Sequence, residues 1–256
     1  MILSFNIEYR TNWGEEVKLA GLSTESTPMY TTDGIYWTAE VELEVPQEGL
    51  TIHYSYQIEQ NGIVIRKEWN NFPRCLFLSG TPRKKYRIND CWKNIPEQLY
   101  LYSSAFTEAL LSHPERVDIP QGYKKGLIIK AYAPRINKDY CLAICGNQKA
   151  LGNWDPEKAV LMSDFNFPEW QVELDASKLK YPLEYKFILC HKQERKIDCW
   201  EKNPNRYLAD PEIKTNETLV ISDRYVYFDI PMWKGAGIAI PVFSLKSEKS
   251  FGVGDF

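Results

Sequence analysis

The sequence has 256 residues, of which 44% are hydrophobic, 25% charged and 14% aromatic, and its formal net charge is −3. This length and composition are typical of one or two globular domains with enough apolar residues for packed cores. The negative balance disfavours nucleic acid as a partner, because phosphate binding depends on a surplus of lysine and arginine. We expect a neutral partner, and neither a membrane segment nor a signal peptide, since the apolar runs are short.

Short strands fill the first part of the chain. Apolar and polar residues alternate there with a period of two, which is typical of half-buried strands. Gln60-Asn61-Gly62 separates two such runs and predicts a hairpin turn. We predict strands over residues 2–8, 16–21, 36–45, 52–59, 62–67 and 84–92.

The middle of the chain has a different composition. Residues 94–121 contain Pro96, Pro114 and Pro120, with a short helical pattern over residues 104–111. We interpret this stretch as a linker. The strand pattern then starts again over residues 126–133 and 140–145.

This restart predicts an internal repeat. Residues 17–21 parallel residues 142–146, and residues 53–56 parallel residues 184–187. Two pairs of tryptophans correspond in the same alignment, Trp37 with Trp170 and Trp69 with Trp200.

Two tryptophans of the second copy stand among turn residues rather than in apolar runs. Trp154 lies within Leu-Gly-Asn-Trp-Asp-Pro, and Trp200 is followed by Glu-Lys-Asn-Pro-Asn-Arg. Turn residues place the backbone at the surface, where a tryptophan is available for contact with a ligand. We therefore predict that Trp154 and Trp200 form a binding surface.

These motifs, together with Pro-Glu-Trp at 168–170 and Leu-Glu-Tyr-Lys-Phe-Ile at 183–188, resemble a starch-binding domain, carbohydrate-binding module family 20. The resemblance implies an all-β chain of two antiparallel β-sandwich modules in tandem, each immunoglobulin-like with an open barrel. It also implies binding of α-1,4-glucan, as starch, glycogen or maltodextrin. Carried over to this sequence, the main glucan site consists of Trp154, Trp200 and Lys186, with Glu201 and Asn205 as hydrogen-bonding neighbours.

The first copy departs from the family pattern at this main site. It has no counterpart of the Leu-Gly-Asn-Trp-Asp turn, and Ser55 stands where Lys186 stands in the second copy. Trp69 is then the one residue of the main site that the first copy retains.

The first copy resembles the family's second glucan site instead. Its matching aromatic residues are Trp13, Tyr30 and Trp37, whereas the second copy retains Trp170 and has Lys138 in place of the residue that matches Trp13. We hypothesise that each copy keeps a different site. Packing within a sheet is the alternative role for Trp37 and Trp170, because both lie on alternating strands.

The last residues resemble another family. Residues 233–256 combine an apolar run with Gly-Val-Gly-Asp-Phe and are similar to the opening strand of the (β/α)8 barrel of glycoside hydrolase family 77. The expected layout is a divergent module at 1–93, a linker at 94–123, a second module at 124–226, and a linker with the start of a catalytic domain at 227–256. By this resemblance the full-length protein is a 4-alpha-glucanotransferase whose catalytic carboxylates follow Phe256, and residues 1–256 are not catalytic. The alternative is a stand-alone starch- or glycogen-binding regulatory scaffold.

The six cysteines form no Cys-x-x-Cys pair. A zinc site of Cys141, Cys145, Cys190 and Cys199 with His191 is the alternative to buried thiols, but the spacing matches no usual ligand pattern. We expect a cytoplasmic protein without metal or cofactor, whose partners are α-glucan or malto-oligosaccharide and its own downstream barrel.

Overall fold

The structure is a computed structural model, and it describes residues 1–69, 73–80, 85–94, 122–134, 136, 139–194, 196–223 and 226–228. Its regular elements are mostly β-strands. Within these ranges no helix has the length and apolarity needed to cross a bilayer. The predicted helical pattern at 104–111, Lys138 and the segment 233–256 lie outside the described residues.

The first half of the molecule, residues 1–94, carries eight strands in its described part. The sequence predicted six of them within two or three residues, and it missed the two-residue strand β3 and the buried strand β7. The strands are β1 (Ile2–Glu8), β2 (Glu15–Ala20), β3 (Thr27–Pro28), β4 (Tyr36–Glu42), β5 (Leu50–Gln60), β6 (Ile63–Lys67), β7 (Arg74–Leu78) and β8 (Lys85–Cys91).

The second half, residues 122–228, repeats this arrangement with additional short elements. Three 3₁₀ segments, Lys149–Trp154, Pro156–Lys158 and Ala176–Lys178, connect its strands. The strands are β9 (Lys125–Tyr132), β10 (Tyr140–Gly146), β11 (Val160–Leu161), β12 (Ser163–Asn166), β13 (Glu169–Asp175), β14 (Leu183–His191), β15 (Ile197–Trp200), β16 (Arg206–Leu208) and β17 (Glu217–Ser222).

These strands form three sheets, and the largest draws on both halves. Its order is β12-β13-β9-β17-β8-β1-β4, so that β17 of the second half pairs with β8 of the first. The pairs β1–β8, β8–β17 and β17–β9 are parallel, which corrects the prediction of purely antiparallel pairing. Each half also has an antiparallel five-stranded sheet, with β2, β3, β5, β6 and β7 in the first half and β10, β11, β14, β15 and β16 in the second.

The two faces of the seven-stranded sheet are buried in different cores. On β17, Val220 lies in the core of the first half, whereas Leu219 and Ile221 pack in the core of the second. On β9, Ile128 and Ile129 divide between the two cores in the same way. Because successive side chains of a strand point to opposite faces, the two five-stranded sheets cover opposite faces of the shared sheet.

Charged side chains also connect the two halves. Lys130 on β9 is 1% exposed, and its Nζ lies 2.9 Å from Oε1 of Glu169 and donates to the backbone carbonyl of Cys75 in the first half. Ser222 at the end of β17 donates a 2.7 Å hydrogen bond to Asp90 on β8. These buried polar groups therefore find partners across the boundary between the halves, which offsets the cost of removing them from water.

Candidate functional site

Trp154 and Trp200 lie side by side in the second half. Their ring centroids are 6.3 Å apart, and the ring planes are inclined by 46°. Both side chains are partly exposed. Two indole faces set at an angle offer a ligand a curved apolar surface rather than a flat one.

An unusual backbone conformation places Trp154. Gly152, Asn153 and Trp154 have φ values of 83°, 53° and 62°, three consecutive residues in the left-handed region. A Cβ at Gly152 would lie 2.9 Å from the backbone carbonyl of Lys158, so only glycine fits there. The N–H of Asn153 donates a 3.0 Å hydrogen bond to the carbonyl of Gln148, which holds the turn. Non-glycine residues in this region cost free energy and cluster at functional sites.

The next residues fix the far side of this turn. The carboxylate of Asp155 accepts the N–H of Glu157 at 3.1 Å and pairs with the ammonium of Lys158. This hydrogen bond from Lys158 holds the pKa of Asp155 below its ordinary value. Asp155 thus caps the following 3₁₀ segment and keeps Trp154 in a single backbone arrangement.

Strand register brings Lys186 to the same surface. Trp200 on β15 pairs with Ile188 on β14, and Lys186 precedes Ile188 by two residues. Because side chains alternate along a strand, Lys186 and Trp200 lie on the same outer face of the five-stranded sheet. Asn205, which is exposed, stands in the turn between β15 and β16. The structure therefore places Trp154 against Trp200 and Lys186 on the same face as Trp200.

Glu201 has a structural role rather than the ligand-contacting one predicted for it. It is 2% exposed, its carboxylate accepts the N–H of Phe187 at 2.8 Å, and it lies 2.9 Å from the guanidinium of Arg206. Arg206 also covers the ring of Phe187 and lies 3.4 Å from Asp223, which accepts the hydroxyl of Tyr185 at 2.7 Å. Burial raises the pKa of Asp223 above its ordinary value. These five residues, which we call the second-half clamp, fix the strand that carries Trp200.

The sequence analysis did not predict the roles of the other four members of this clamp. Tyr185, Phe187 and Arg206 lie within the quoted motifs, but only the fold brings them together with Asp223. The sequence carries no signal for this clamp, because the burial of Glu201 is known only from the fold. Once Glu201 is known to be buried, a cationic partner is expected.

The predictions for Trp37 and Trp170 need correction. The two side chains are 5% and 0% exposed, and their indole N–H groups donate 3.2 Å hydrogen bonds to the carbonyls of Tyr9 and Ala133. Each tryptophan therefore fills the core of its own half at an equivalent position of the shared sheet. Neither offers a face to a ligand, and we remove both from the candidate site.

The first half contains a clamp of the same design. Glu68 accepts the N–H of Tyr56 at 3.1 Å and lies 2.7 Å from Arg74, which lies 3.0 Å from Asp90. The hydroxyl of Tyr54 donates to Asp90 at 2.9 Å, as the hydroxyl of Tyr185 donates to Asp223 in the second half. We call these five residues the first-half clamp. They define which residues of the two halves correspond to each other.

This alignment shows that the correspondence of Trp69 with Trp200 was wrong. Since Glu68 corresponds to Glu201, the residue before it, Lys67, takes the position of Trp200. Trp69 follows the glutamate instead of preceding it, and Lys93 lies over its ring at 5.8 Å. The first half therefore has no tryptophan at the position equivalent to Trp200.

Trp13 and Tyr30 are the most exposed of the residues predicted to bind a ligand in the first half, and Trp69 is partly exposed. Trp13 is 99% exposed in the turn after β1, and Tyr30 is 70% exposed and bridges Thr38 on β4. Both aromatic side chains are available for contact in the first half, whereas the Trp154–Trp200 pair lies in the second half.

Comparisons with known proteins bear on this site. Residues 129–220 match the model of the starch binding domain family, a range that includes Trp154, Lys186 and Trp200. Over 99% of its length the chain is 24% identical to the 4-alpha-glucanotransferase DPE2 of Oryza sativa subsp. japonica, and it spans 29% of the length of that relative.

Solved structures give related similarities. A glycoside hydrolase family 15 glucoamylase from Hypocrea jecorina is 21% identical, with 44% of this chain and 19% of that chain covered and a TM-score of 0.35. The family 20 module of a maltotetraose-forming amylase from Pseudomonas saccharophila STB07 is 17% identical, with 38% and 99% covered and a TM-score of 0.31. By the family model, residues 129–220 are similar to the starch binding domain of carbohydrate-binding module family 20, and the whole chain is similar to a plant 4-alpha-glucanotransferase.

Proposed function

We propose that the second half binds α-1,4-glucan on the surface formed by Trp154, Trp200 and Lys186. The observation that carries this proposal is the inclined indole pair, 6.3 Å between ring centroids, held by a strained turn on one side and by a buried clamp on the other. Such a preorganised pair loses little side-chain entropy when a ligand binds.

The chemistry of a glucose chain suits this surface. Each ring has apolar C–H faces that an indole can cover, and a rim of hydroxyls that lose hydrogen bonds to water on binding. On this proposal, the ammonium of Lys186 and the amide of Asn205 replace some of those bonds. The inclination of the two indoles favours the curved path of an α-linked chain over a flat one. We expect dissociation constants in the range of about micromolar to millimolar for this shallow site.

We further propose that the first half is a diverged copy of the same module. The repeated clamps and the equivalent buried tryptophans, Trp37 and Trp170, support this interpretation. In the first half Trp13 and Tyr30 are proposed as a separate glucan contact. Two weak contacts on one chain raise the affinity for a polymer when both reach the same strand of glucan.

Our proposal for the whole protein is a 4-alpha-glucanotransferase that this region targets to starch, glycogen or maltodextrin. The homology to the rice enzyme supports it, and the chain spans 29% of that relative. Transfer with retention needs a nucleophilic carboxylate and an acid/base carboxylate flanking the bond. We propose that these carboxylates lie in the part of that relative's length that this chain does not span, and that residues 1–256 alone do not disproportionate maltodextrins.

A reducing, cytoplasmic setting is part of the same proposal. None of the six cysteines, all of which lie in the described part of the chain, forms a disulfide, and Cys75, Cys141, Cys145 and Cys190 are buried. Disulfides form readily in oxidising compartments, so six cysteines without one favour a reducing compartment.

Calorimetric titration with β-cyclodextrin, a closed ring of α-1,4-linked glucose, tests the proposed binding. Trp154→Ala and Trp200→Ala should each weaken binding by about 2 kcal/mol, or roughly thirtyfold. Trp13→Ala should remove a separate, weaker phase. Saturable binding that survives both Trp154→Ala and Trp200→Ala would place the glucan site elsewhere, and a folded wild type without any binding would contradict the proposed function.

A further inference from the structure

A third aromatic side chain stands on the same face as the indole pair. Tyr207 on β16 is 64% exposed, and it pairs with Glu184 on β14. Trp200 pairs with Ile188 on the same strand. Glu184, Lys186 and Ile188 are separated by two residues each, so their side chains and those of their cross-strand partners share one face of the sheet.

Trp200 and Tyr207 therefore lie in one line, along the same side of β14. Four residues of β14 separate their pairing positions, which corresponds to about 13 Å along the strand. Lys186 lies between them on the neighbouring strand, and Asn205 belongs to the turn that leads from Trp200 to Tyr207. A chain of several sugar rings could run from the indole pair over Lys186 to Tyr207.

The position of Tyr207 is rigidly defined. It follows Arg206, the central residue of the second-half clamp, and precedes Leu208, which pairs with the fully buried Leu183. An aromatic ring on such an anchored strand is preorganised for stacking, because little freedom remains to be lost on binding.

The first half shows that the fold does not require an aromatic residue here. Arg74 corresponds to Arg206, so Cys75 takes the position of Tyr207 and pairs with His53 as Tyr207 pairs with Glu184. Cys75 is 3% exposed, and its carbonyl accepts the ammonium of Lys130 from the second half. The exposed ring is thus a feature of the half that carries the indole pair, whereas its counterpart is covered by the neighbouring half.

We infer that Tyr207 is an additional stacking contact that extends the proposed glucan site beyond Trp154 and Trp200 and selects for longer α-glucan chains. This inference rests on the proposed function. The pair of indoles holds a short oligosaccharide by itself, and only a chain long enough to reach past Lys186 contacts Tyr207. The ring would then increase the affinity for long glucan chains and leave the affinity for short ones unchanged.

The test compares a short and a long ligand in the full 256-residue chain that carries Trp13→Ala, so that the first-half surface contributes little. Maltotriose and maltoheptaose are titrated by calorimetry into this protein and into its Tyr207→Ala and Tyr207→Phe variants. Tyr36→Ala is the matched control, since Tyr36 is 59% exposed and lies on β4 in the first half. Circular dichroism confirms that each variant is folded.

We expect Tyr207→Ala to weaken maltoheptaose binding by about three- to tenfold and to leave maltotriose binding unchanged. Tyr207→Phe should restore the affinity for maltoheptaose, because stacking needs the ring and not the hydroxyl. Tyr36→Ala should bind both ligands like the parent protein. Equal losses for both ligands, or no loss for maltoheptaose while Trp200→Ala abolishes binding, would overturn the role of Tyr207 and leave the proposed function standing. A folded parent protein that binds neither ligand would overturn both.

Discussion

The two halves of this molecule share a scaffold and differ in what they display on it. Each half buries a tryptophan, Trp37 or Trp170, against the shared sheet and holds a glutamate–arginine–aspartate clamp beneath its outer sheet. Only the second half adds the turn of Trp154 and an exposed tryptophan beside it. The buried residues that the halves share thus maintain their common fold, whereas a few outward-facing side chains determine which half carries the candidate site.

The same comparison explains how a tryptophan can mislead. Trp69 and Trp200 stand near equivalent glutamates, but on opposite sides of them in the sequence. The two tryptophans are therefore shifted by two residues, and Trp69 corresponds to Lys202 rather than to Trp200. The position equivalent to Trp200 is occupied by the exposed Lys67, and the position of Lys186 by Ser55.

The largest effect should come from breaking the sheet that the halves share. Val220→Asp places a carboxylate in the core of the first half, on a strand that belongs to the second, and should cost at least about 4 kcal/mol of unfolding free energy. We expect a single unfolding transition for both halves, measured by chemical denaturation with fluorescence and circular dichroism. Leu161→Asp, at a residue that is 42% exposed, is the control and should cost little. Two separate unfolding transitions, of which Val220→Asp shifts only one, would show that the halves unfold independently.

A second experiment sets the two clamps against each other. Arg74→Met leaves Glu68 and Asp90 buried without their cation and should cost about 3–5 kcal/mol. Arg206→Met should cost less, because the side chain of Arg206 is 15% exposed whereas that of Arg74 is 2% exposed. Urea denaturation of the two variants measures the difference. An equal or larger loss from Arg206→Met would contradict the expectation that the more buried arginine contributes more to the free energy of unfolding.

A third experiment gives the second half the residues of the first. The double variant Trp200→Lys, Lys186→Ser should lose at least about 2 kcal/mol of binding free energy for β-cyclodextrin, because the stacking face and the cation are both removed. The free energy of unfolding should change by about 1 kcal/mol or less, since both side chains lie on the outer face. Binding that persists in this variant would separate the glucan site from the residues by which the halves differ.

The smallest expected effect is a pH dependence of the unfolding free energy that comes from Lys93. Burial lowers the pKa of Lys93 to about 8, below its value of about 10.4 in an unfolded chain. Between these two values the unfolded chain binds the proton that the folded protein lacks, so this group makes stability rise with pH. Measured by urea denaturation, the free energy of unfolding of the wild type should rise by about 1 kcal/mol relative to that of Lys93→Met between pH about 8 and about 9. If the difference in unfolding free energy between the two proteins does not change over this pH range, the pKa of Lys93 is not lowered as described.

Local patterning predicted most strands, because alternation needs only neighbouring residues. It missed β7, whose residues Arg-Cys-Leu-Phe-Leu are buried on both faces and therefore do not alternate. The pairing of β8 with β17 joins residues more than a hundred positions apart, so no local signal could reveal the shared sheet. For Trp37 the pattern itself was informative, since Trp37 and Ala39 share the apolar face of β4, but the family resemblance favoured a ligand role.

The site was predictable where turn residues marked it and unpredictable where the fold assembled it. Trp154 and Trp200 could be singled out because Gly152, Pro204 and their neighbours indicate turns. The clamp and the position of Tyr207 depend on strand register, which the sequence alone does not specify.

The most direct test of the account is a paired substitution at the two tryptophans that the sequence made equivalent. Trp200→Ala and Trp69→Ala are compared by calorimetric titration with β-cyclodextrin, with folding checked by circular dichroism. We predict that Trp200→Ala weakens binding by roughly thirtyfold or more while folded Trp69→Ala binds like the wild type. An equal loss from both, or a loss from Trp69→Ala alone, would contradict the claim that only the second half carries the main glucan site.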